Sequence, residues 1–138
     1  MLETRTPTSC SYFTALDGFR NSEDSPREFL ERCIKVIQDQ DSQIGAFVAT
    51  NLDAARKAAD ESSRRWKSGS PLSAIDGMPV GIKDIMETAD MGTEQGSALF
   101  VGWKGARDCA AVAGLREAGA VILGKTVTTE FAATHPGG

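Results

Sequence analysis

A lysine that ends a short apolar stretch is the residue whose position points most directly to chemistry. Apolar residues alternate from Met78 to Ile82, which is the spacing of a β-strand, and Lys83 follows at once. A buried lysine loses its proton readily, and the neutral amine is a base. The pattern alone favours a plainer alternative, in which Lys83 is a surface residue that pairs with Asp84 or with nothing.

The composition is that of an ordinary globular chain. Of the 138 residues, 41% are hydrophobic and 25% are charged, which fits one domain. The net charge is -4 and no basic block occurs, so a nucleic-acid surface is not expected. The cluster Arg64, Arg65 and Lys67 is interpreted as a solvated helix face.

Membrane, metal and cofactor functions find no support in the sequence. No apolar run reaches the ~20 residues that cross a bilayer, and the N-terminus lacks the apolar segment of a secretory signal, so we expect a cytoplasmic protein without membrane contact. The thiols of Cys10, Cys33 and Cys109 are odd in number and far apart, which favours reduced cysteines. Since His135 is the only histidine, neither a multi-histidine metal site nor a Ser-His-Asp triad is expected.

The elements that must position Lys83 follow from helix caps and periodicity. The clearest start signal is Ser25, with Pro26 at the first helical position and Glu28 three residues after the serine. Asn51 or Thr50 is expected to cap the next helix. Buried apolar strands that alternate with helices predict an α/β layer arrangement. The expected elements are helices over 12–18, 25–39, 51–67 and 109–118, and strands over 45–49, 78–83 and 120–123.

Three local details are also expected. Tyr12, Phe13 and Leu16 are placed on one face of the first helix. Asp108 is placed at the cap of the last helix. Residues 87–97 are polar, carry glycines and have no period, which is typical of a loop that surrounds a site.

One short motif is misleading. Residues 119–126 match G-x-x-x-x-G-K-[ST], the phosphate-binding P-loop pattern. A phosphate cradle needs a strand before the first glycine and a helix after the lysine. Here a helix is predicted before Gly119, and the four x positions are Ala, Val, Ile and Leu, which favour a buried strand. Nucleotide binding is therefore not expected.

Two blocks of the sequence resemble the amidase signature family. The first is Pro71-Leu72 followed by residues 76–84, and the second is residues 115–126 followed by the Glu-Phe-Ala segment of residues 129–132. The order and separation of the two blocks agree with the family. The resemblance covers residues 25–138.

The resemblance implies the fold. It is an α/β fold, the N-terminal part of the amidase-signature fold, in which a mixed β-sheet core is flanked by helices and is incomplete in this chain. The chain then divides into a tail and short helix over 1–24 and the N-terminal part of a single amidase domain over 25–138. In the family a serine- and glycine-rich block lies downstream of Glu-Phe-Ala, and the sequence stops at Gly138 before such a block.

The resemblance also implies the chemistry. Family members hydrolyse a carbon–nitrogen amide bond to a carboxylic acid and ammonia or an amine through a Ser-cisSer-Lys triad, and Lys83 matches the lysine. As a neutral base it would draw a proton through the bridging serine, so its pKa must fall from ~10.4 toward neutrality through burial and the lack of a carboxylate partner. Asp84 is therefore expected to point away from Lys83 and to hold backbone N–H groups of the next loop. Ser70, Ser73 and Ser97 do not match the family's serines.

Substrate contacts and subfamily are implied more loosely. Met86 and Ala133 are candidates for the substrate pocket, with plain packing as the favoured alternative. Ile85 and Val127 stand where many amidotransferase A subunits carry Asn, so the sequence looks closer to general bacterial amidases. The implied partner is a small-molecule amide, without cofactor, metal, nucleic acid or membrane, and the oligomeric state is left open.

Two functions remain open at this point. The first is a serine amidase of which this chain alone is inactive, because the nucleophile is missing. The second is a non-catalytic fragment or scaffold protein that lacks the nucleophile. A chain that stops at Gly138 is also expected to leave apolar surface uncovered, including the strand over 120–123.

Overall fold

The computed structural model describes residues 11–133, so the sequence expectations for Cys10 and His135 lie outside the described residues. A three-stranded sheet forms the centre, with helices on both sides. The elements are helix α1 Tyr12–Asn21, helix α2 Pro26–Ile44, strand β1 Phe47–Thr50, helix α3 Leu52–Lys67, strand β2 Pro79–Lys83, helix α4 Ala110–Glu117 and strand β3 Val121–Thr126, with short 3-10 turns at Ala98–Phe100 and Glu130–Ala132.

The sheet is mixed, which confirms the expected fold class. Its strand order is β1-β3-β2, with β2 parallel to β3 and β1 antiparallel to it. Parallel neighbours need a crossover connection, and here it contains α4. One face of the sheet packs on α2 and α3, and the other packs on α4 and the loop after β2. The first core comprises Leu30, Ile34, Ala55, Ala59, Val121 and Leu123, and the second comprises Ile82, Met91, Val112 and Ile122.

Strand β3 is the best covered part of the sheet. Val121, Ile122 and Leu123 are each at most 2% exposed. The expectation that this strand would lie uncovered is wrong, because β3 is the central strand and helices pack on both of its faces. The edges of the sheet are β1 and β2.

Helices α2 and α3 begin where the cap residues predict. The Ser25 hydroxyl accepts a hydrogen bond from the Glu28 N–H (3.2 Å), and the Asn51 side chain accepts one from the Ala54 N–H (3.3 Å). Each cap satisfies one of the backbone donors that a helix leaves free at its first turn.

Two helices run further than expected because their stop signals lie further along the chain. Helix α2 passes Asp39 and ends where Gly45 takes the left-handed conformation (φ 66°), with its N–H bonded to the Asp41 carbonyl (2.7 Å). Helix α1 passes Gly18 and ends at Ser22, which is also left-handed (φ 59°).

Two side-chain expectations are wrong. Phe13 is 83% exposed, because the inward stripe of α1 consists of Tyr12, Ala15, Leu16 and Phe19 and leaves Phe13 on the outer face. Asp108 does not cap α4, whose cap residue is Cys109. The Asp108 carboxylate instead accepts the Ala89 N–H (2.7 Å), which ties the preceding loop to the start of the helix.

Arg65 does not lie on a solvated face as expected. It forms a bidentate ion pair with the fully buried Asp76, at 2.8 and 2.6 Å, and Asp76 also accepts the Leu72 N–H (2.8 Å). The Asp76 carbonyl accepts hydrogen bonds from the Tyr12 hydroxyl (2.8 Å) and the Trp66 indole N–H (2.9 Å). This network joins α1 and α3 to the segment that leads into β2.

Candidate active site

Lys83 is the last residue of β2, and its side chain is exposed. The expected burial is therefore not found. Within residues 11–133 its amine makes no hydrogen bond and no ion pair. The amine thus faces open space, with no described carboxylate bound to it.

Asp84 turns to the opposite side of the sheet from Lys83. One carboxylate oxygen lies 2.9 Å from the Lys125 amine, in an ion pair without hydrogen-bond alignment, and the other accepts the Glu94 N–H (3.2 Å). The Asp84 N–H donates to the Thr126 carbonyl (2.9 Å), which continues the pairing of β2 with β3. The prediction that Asp84 points away from Lys83 and holds an N–H of the next loop is confirmed.

Lys125 is fully buried and binds three partners around its amine. Besides Asp84, the amine donates to the Gly92 carbonyl (2.9 Å) and to the Thr93 hydroxyl (2.7 Å). An ammonium has three donors, and a buried charge is tolerated when it is paired and hydrogen-bonded. Sequence reasoning missed this residue, although the signal that singled out Lys83, a lysine in an apolar strand, was present here too.

An irregularity in β3 aims Lys125 at these partners. Strict alternation would place Lys125 on the face of Leu123, in the core under α2 and α3. Instead, Leu123 is an extra residue between Ile122 and Gly124 in the pairing with β2, so Lys125 pairs with Ile82 and shares its face. Such a bulge re-aims the side chains that follow it.

Gly124 allows this irregularity. A Cβ atom at this position would lie 2.4 Å from the Ala49 carbonyl oxygen and 2.9 Å from the Phe47 ring. Strand β1 therefore approaches β3 more closely than any other residue type would permit.

The P-loop pattern forms no phosphate cradle. Its four x positions run into β3, as expected, and the amine of Lys125 points into the protein rather than toward a ligand. After β3 the described chain continues to a short 3-10 turn instead of an α-helix.

Three residues near the site adopt strained backbone conformations. Gln95, Phe131 and Ala132 have φ values of 57°, 48° and 56°. The Gln95 N–H donates to the Asp84 carbonyl (3.0 Å), and the Phe131 N–H donates to the Gln95 carbonyl (2.9 Å). Non-glycine residues in this region cost about 1–3 kcal/mol each and cluster at functional sites. No pattern in the sequence signals them.

The two pocket candidates occupy different places. The Met86 N–H donates to the Lys83 carbonyl (2.9 Å), so the backbone brings these residues together, and the Met86 side chain packs against the core under α4. Ala133 is exposed, and its carbonyl accepts the Thr129 hydroxyl (2.6 Å). A role in substrate binding stays a prediction for both.

Two of the serines that do not match the family's catalytic serines hydrogen-bond to nearby residues. The Ser97 hydroxyl donates to the Glu130 carboxylate (2.7 Å), and the Ser73 hydroxyl donates to the Ala118 carbonyl (2.7 Å). Among residues 11–133, no group of three or more His, Cys, Asp or Glu side chains is arranged to hold a metal ion. In the same range no helix is both long and apolar enough to span a bilayer.

Comparison with protein families decides where the chain belongs. The family model described as Amidase matches residues 28–136, most of the chain. The chain belongs to the amidase family. Lys83, Asp84 and Lys125 all lie within the residues that the family model matches.

Curated relatives of this amidase-family chain include A subunits of glutamyl-tRNA(Gln) amidotransferase. The subunit from Anaeromyxobacter sp. (strain K) is 40% identical over 108 residues, which cover 78% of this chain and 22% of that protein. The mitochondrial subunit from Ixodes scapularis is 38% identical over 113 residues, 82% of this chain and 22% of that protein. The chain thus spans about a fifth of the length of these relatives.

Solved structures share the fold. The peptide amidase from Stenotrophomonas maltophilia superposes with a TM-score of 0.79 at 29% identity, over 91% of this chain and 26% of that one. A vestigial protein complex related to the origins of an s-triazine catabolic enzyme gives a TM-score of 0.81 at 27% identity, over 88% of this chain and 27% of that one. Since amidotransferase subunits stand among the most similar curated sequences, the closer likeness to general bacterial amidases stays a prediction.

Proposed function

We propose that this chain is the lysine-bearing segment of a serine-dependent amidase, with Lys83 as its base. One observation carries the proposal: Lys83 is the last residue of β2 and its side chain is exposed, while the Asp84 carboxylate is turned away from it and forms an ion pair with Lys125. The amine therefore has an open approach, and no described carboxylate is paired with it.

The proposed reaction uses a Ser-cisSer-Lys triad. The neutral Lys83 amine takes a proton through the bridging serine, and the nucleophilic serine attacks the amide carbonyl. The proton passes to the leaving nitrogen, the carbon–nitrogen bond breaks, and an acyl-enzyme forms. Water then releases the carboxylic acid. Both serines must come from outside residues 11–133, and their approach would cover Lys83 and remove water from its amine.

Substrate and setting are proposed from the relatives. The similar proteins include an amidotransferase subunit and a peptide amidase, which supports a reaction at an amide group. We assign a small linear amide as substrate, with Met86 and Ala133 as pocket candidates, and a cytoplasmic setting without nucleic acid, membrane, metal or cofactor. Residues 25–138 are assigned to one amidase domain and residues 1–24 to a tail and short helix.

The test is acyl transfer by the protein at its full natural length. With simple primary amides we expect ammonia release, and with added hydroxylamine we expect the hydroxamate of the same acyl group, because hydroxylamine competes with water for an acyl-enzyme. Ammonia release without any hydroxamate would contradict the covalent route. Absence of both products across a panel of amides would instead favour the non-catalytic alternative.

A further inference from the structure

The ends of β2 and β3 carry two lysines and one carboxylate. Lys83 and Asp84 are neighbours in the chain, whereas Lys125 reaches Asp84 from the adjacent strand. An ammonium beside a carboxylate is held in its charged form, and a charged lysine is not a base. Which lysine binds Asp84 therefore matters for the chemistry proposed for Lys83.

Resting on the function proposed for Lys83, we propose that Lys125 is a positioning residue that binds the Asp84 carboxylate on the α4 face of the sheet and so keeps it away from the Lys83 amine. The bulge at Leu123 places Lys125 on that face, beside Ile82. Lys125 itself is buried and touches Asp84, Gly92 and Thr93, so it acts on Lys83 only through Asp84.

The pairing also orders the loop that follows Lys83. Lys125 binds the Gly92 carbonyl and the Thr93 hydroxyl, while Asp84 binds the Glu94 N–H. The Asp84 carbonyl then accepts the N–H of the left-handed Gln95. Lys125 and Asp84 together thus bind four consecutive residues of this loop. Loss of the ion pair would release the loop from the sheet and leave the Asp84 carboxylate without its cation.

Asp84 is the carboxylate that stands next to Lys83 in the chain, and the other charged groups around this end of the sheet have separate positions. Three carboxylates accept hydrogen bonds from N–H or hydroxyl groups: Glu94 from the Gly102 N–H (2.8 Å), Glu130 from the Ser97 hydroxyl (2.7 Å) and Asp41 from the Ala46 N–H (2.8 Å). Asp90 and Asp108 form ion pairs with Arg116 (2.7 and 2.9 Å). Glu87 lies beside Gly105, and the cations Lys104 and Arg107 are exposed.

The test follows the titration of the Lys83 amine by NMR in the 138-residue chain with carbon-13-labelled lysine. In Lys125→Gln the amide still donates to the loop but carries no charge, so Asp84 loses its cation. We expect the titration midpoint of Lys83 to rise by roughly half a unit or more as the freed carboxylate reaches its amine. An unchanged midpoint in the folded variant would overturn the proposal.

Asp84→Asn keeps the test decisive if Lys125→Gln fails to fold, and a double variant checks the role of the carboxylate where Lys125→Gln does fold. In Asp84→Asn, and in the double variant Asp84→Asn with Lys125→Gln, no carboxylate is left to bind Lys83, so its midpoint should stay within about 0.2 unit of the wild-type value. A fall of roughly half a unit or more in Asp84→Asn would show that Asp84 already acts on Lys83 with Lys125 in place, and would overturn the proposal. Lys57→Gln, on the exposed side of α3, is the control and should leave the midpoint unchanged.

An activity measurement separates this inference from the function on which it rests. In the protein at its full natural length, Lys125→Gln should move the acidic limb of the kcat/KM profile to higher pH, because a base acts only when unprotonated. A uniform loss of activity without a shifted limb would contradict the positioning role. If the wild-type protein hydrolyses no amide, the proposed function fails, and the NMR titration alone decides the role of Lys125.

Discussion

Asp76 shows at the level of single residues how the chain anchors the strand that carries Lys83. Its carboxylate is fully buried between α3 and the start of β2 and is bound by Arg65 and the Leu72 N–H. Burial by itself raises the pKa of the Asp76 carboxyl, but the hydrogen bonds from Arg65 and Leu72 outweigh it and hold the pKa below its usual value. Burial, with Asp76 as a second cause, raises the pKa of Tyr12 to about 12.

Replacing Asp76 by Asn tests this anchor. The variant leaves Arg65 without its anion, and we expect a loss of about 3 kcal/mol in the free energy of unfolding near pH 7, at the low end for a buried pair because Arg65 partly reaches solvent. Since the folded pKa of Asp76 is depressed, its contribution is complete above about pH 4 and is lost as the pH falls toward the folded pKa.

Urea unfolding followed by circular dichroism at pH 7 and at pH 3 measures both effects. The difference between wild type and Asp76→Asn should be smaller at pH 3. The same difference at both pH values would rule out an ionised Asp76 as its source. The control is Asp17→Asn on the exposed side of α1, for which we expect a change within about 0.5 kcal/mol.

At the scale of elements, β3 decides which side chains reach the site. Its first half is an apolar core strand, and its second half carries Lys125 to the loop after β2. The change of face depends on the bulge at Leu123 and on the close approach of β1 at Gly124. A strand without that irregularity would drive an ammonium into the apolar core under α2 and α3.

Gly124→Ala tests the close approach. The added Cβ would lie 2.4 Å from the Ala49 carbonyl, so β1 must move away, and we expect a loss of about 1–3 kcal/mol in the free energy of unfolding. Thermal and urea unfolding measure it. The matched control is Gly114→Ala in α4, where an added Cβ meets nothing within 4 Å and a gain of up to about 1 kcal/mol in helix propensity is expected. Equal effects of the two substitutions would show that the approach of β1 has no energetic role.

Local signals predicted the elements well. The cap at Ser25, the cap at Asn51 and the apolar run in β3 each gave the right element, because these signals act over three or four residues. The partner of Arg65 and the face of Lys125 could not be predicted. Both depend on segments distant in sequence that pack together, and one extra residue in a strand reverses every later side chain.

At the scale of the whole molecule, the chain forms a mixed sheet with helices on both faces and belongs to the amidase family. The exposure of Lys83 marks the difference between the segment and the proposed enzyme. In the proposed enzyme its amine would have to lose contact with water to act as a base, and the two serines of the proposed triad, with their surroundings, would provide that cover. The resemblance gave the position of this lysine, while burial could not be judged from 138 residues that match about a fifth of their curated relatives.

The central claim, that Lys83 is the base of a serine amidase, is tested most directly by the amide turnover of Lys83→Ala in the protein at its full natural length. We expect kcat/KM for a simple amide to fall roughly 10²–10⁴-fold, as for the loss of a general base. The control Lys57→Ala, on the exposed side of α3, should match the wild type. Turnover by Lys83→Ala near the wild-type rate would contradict the account.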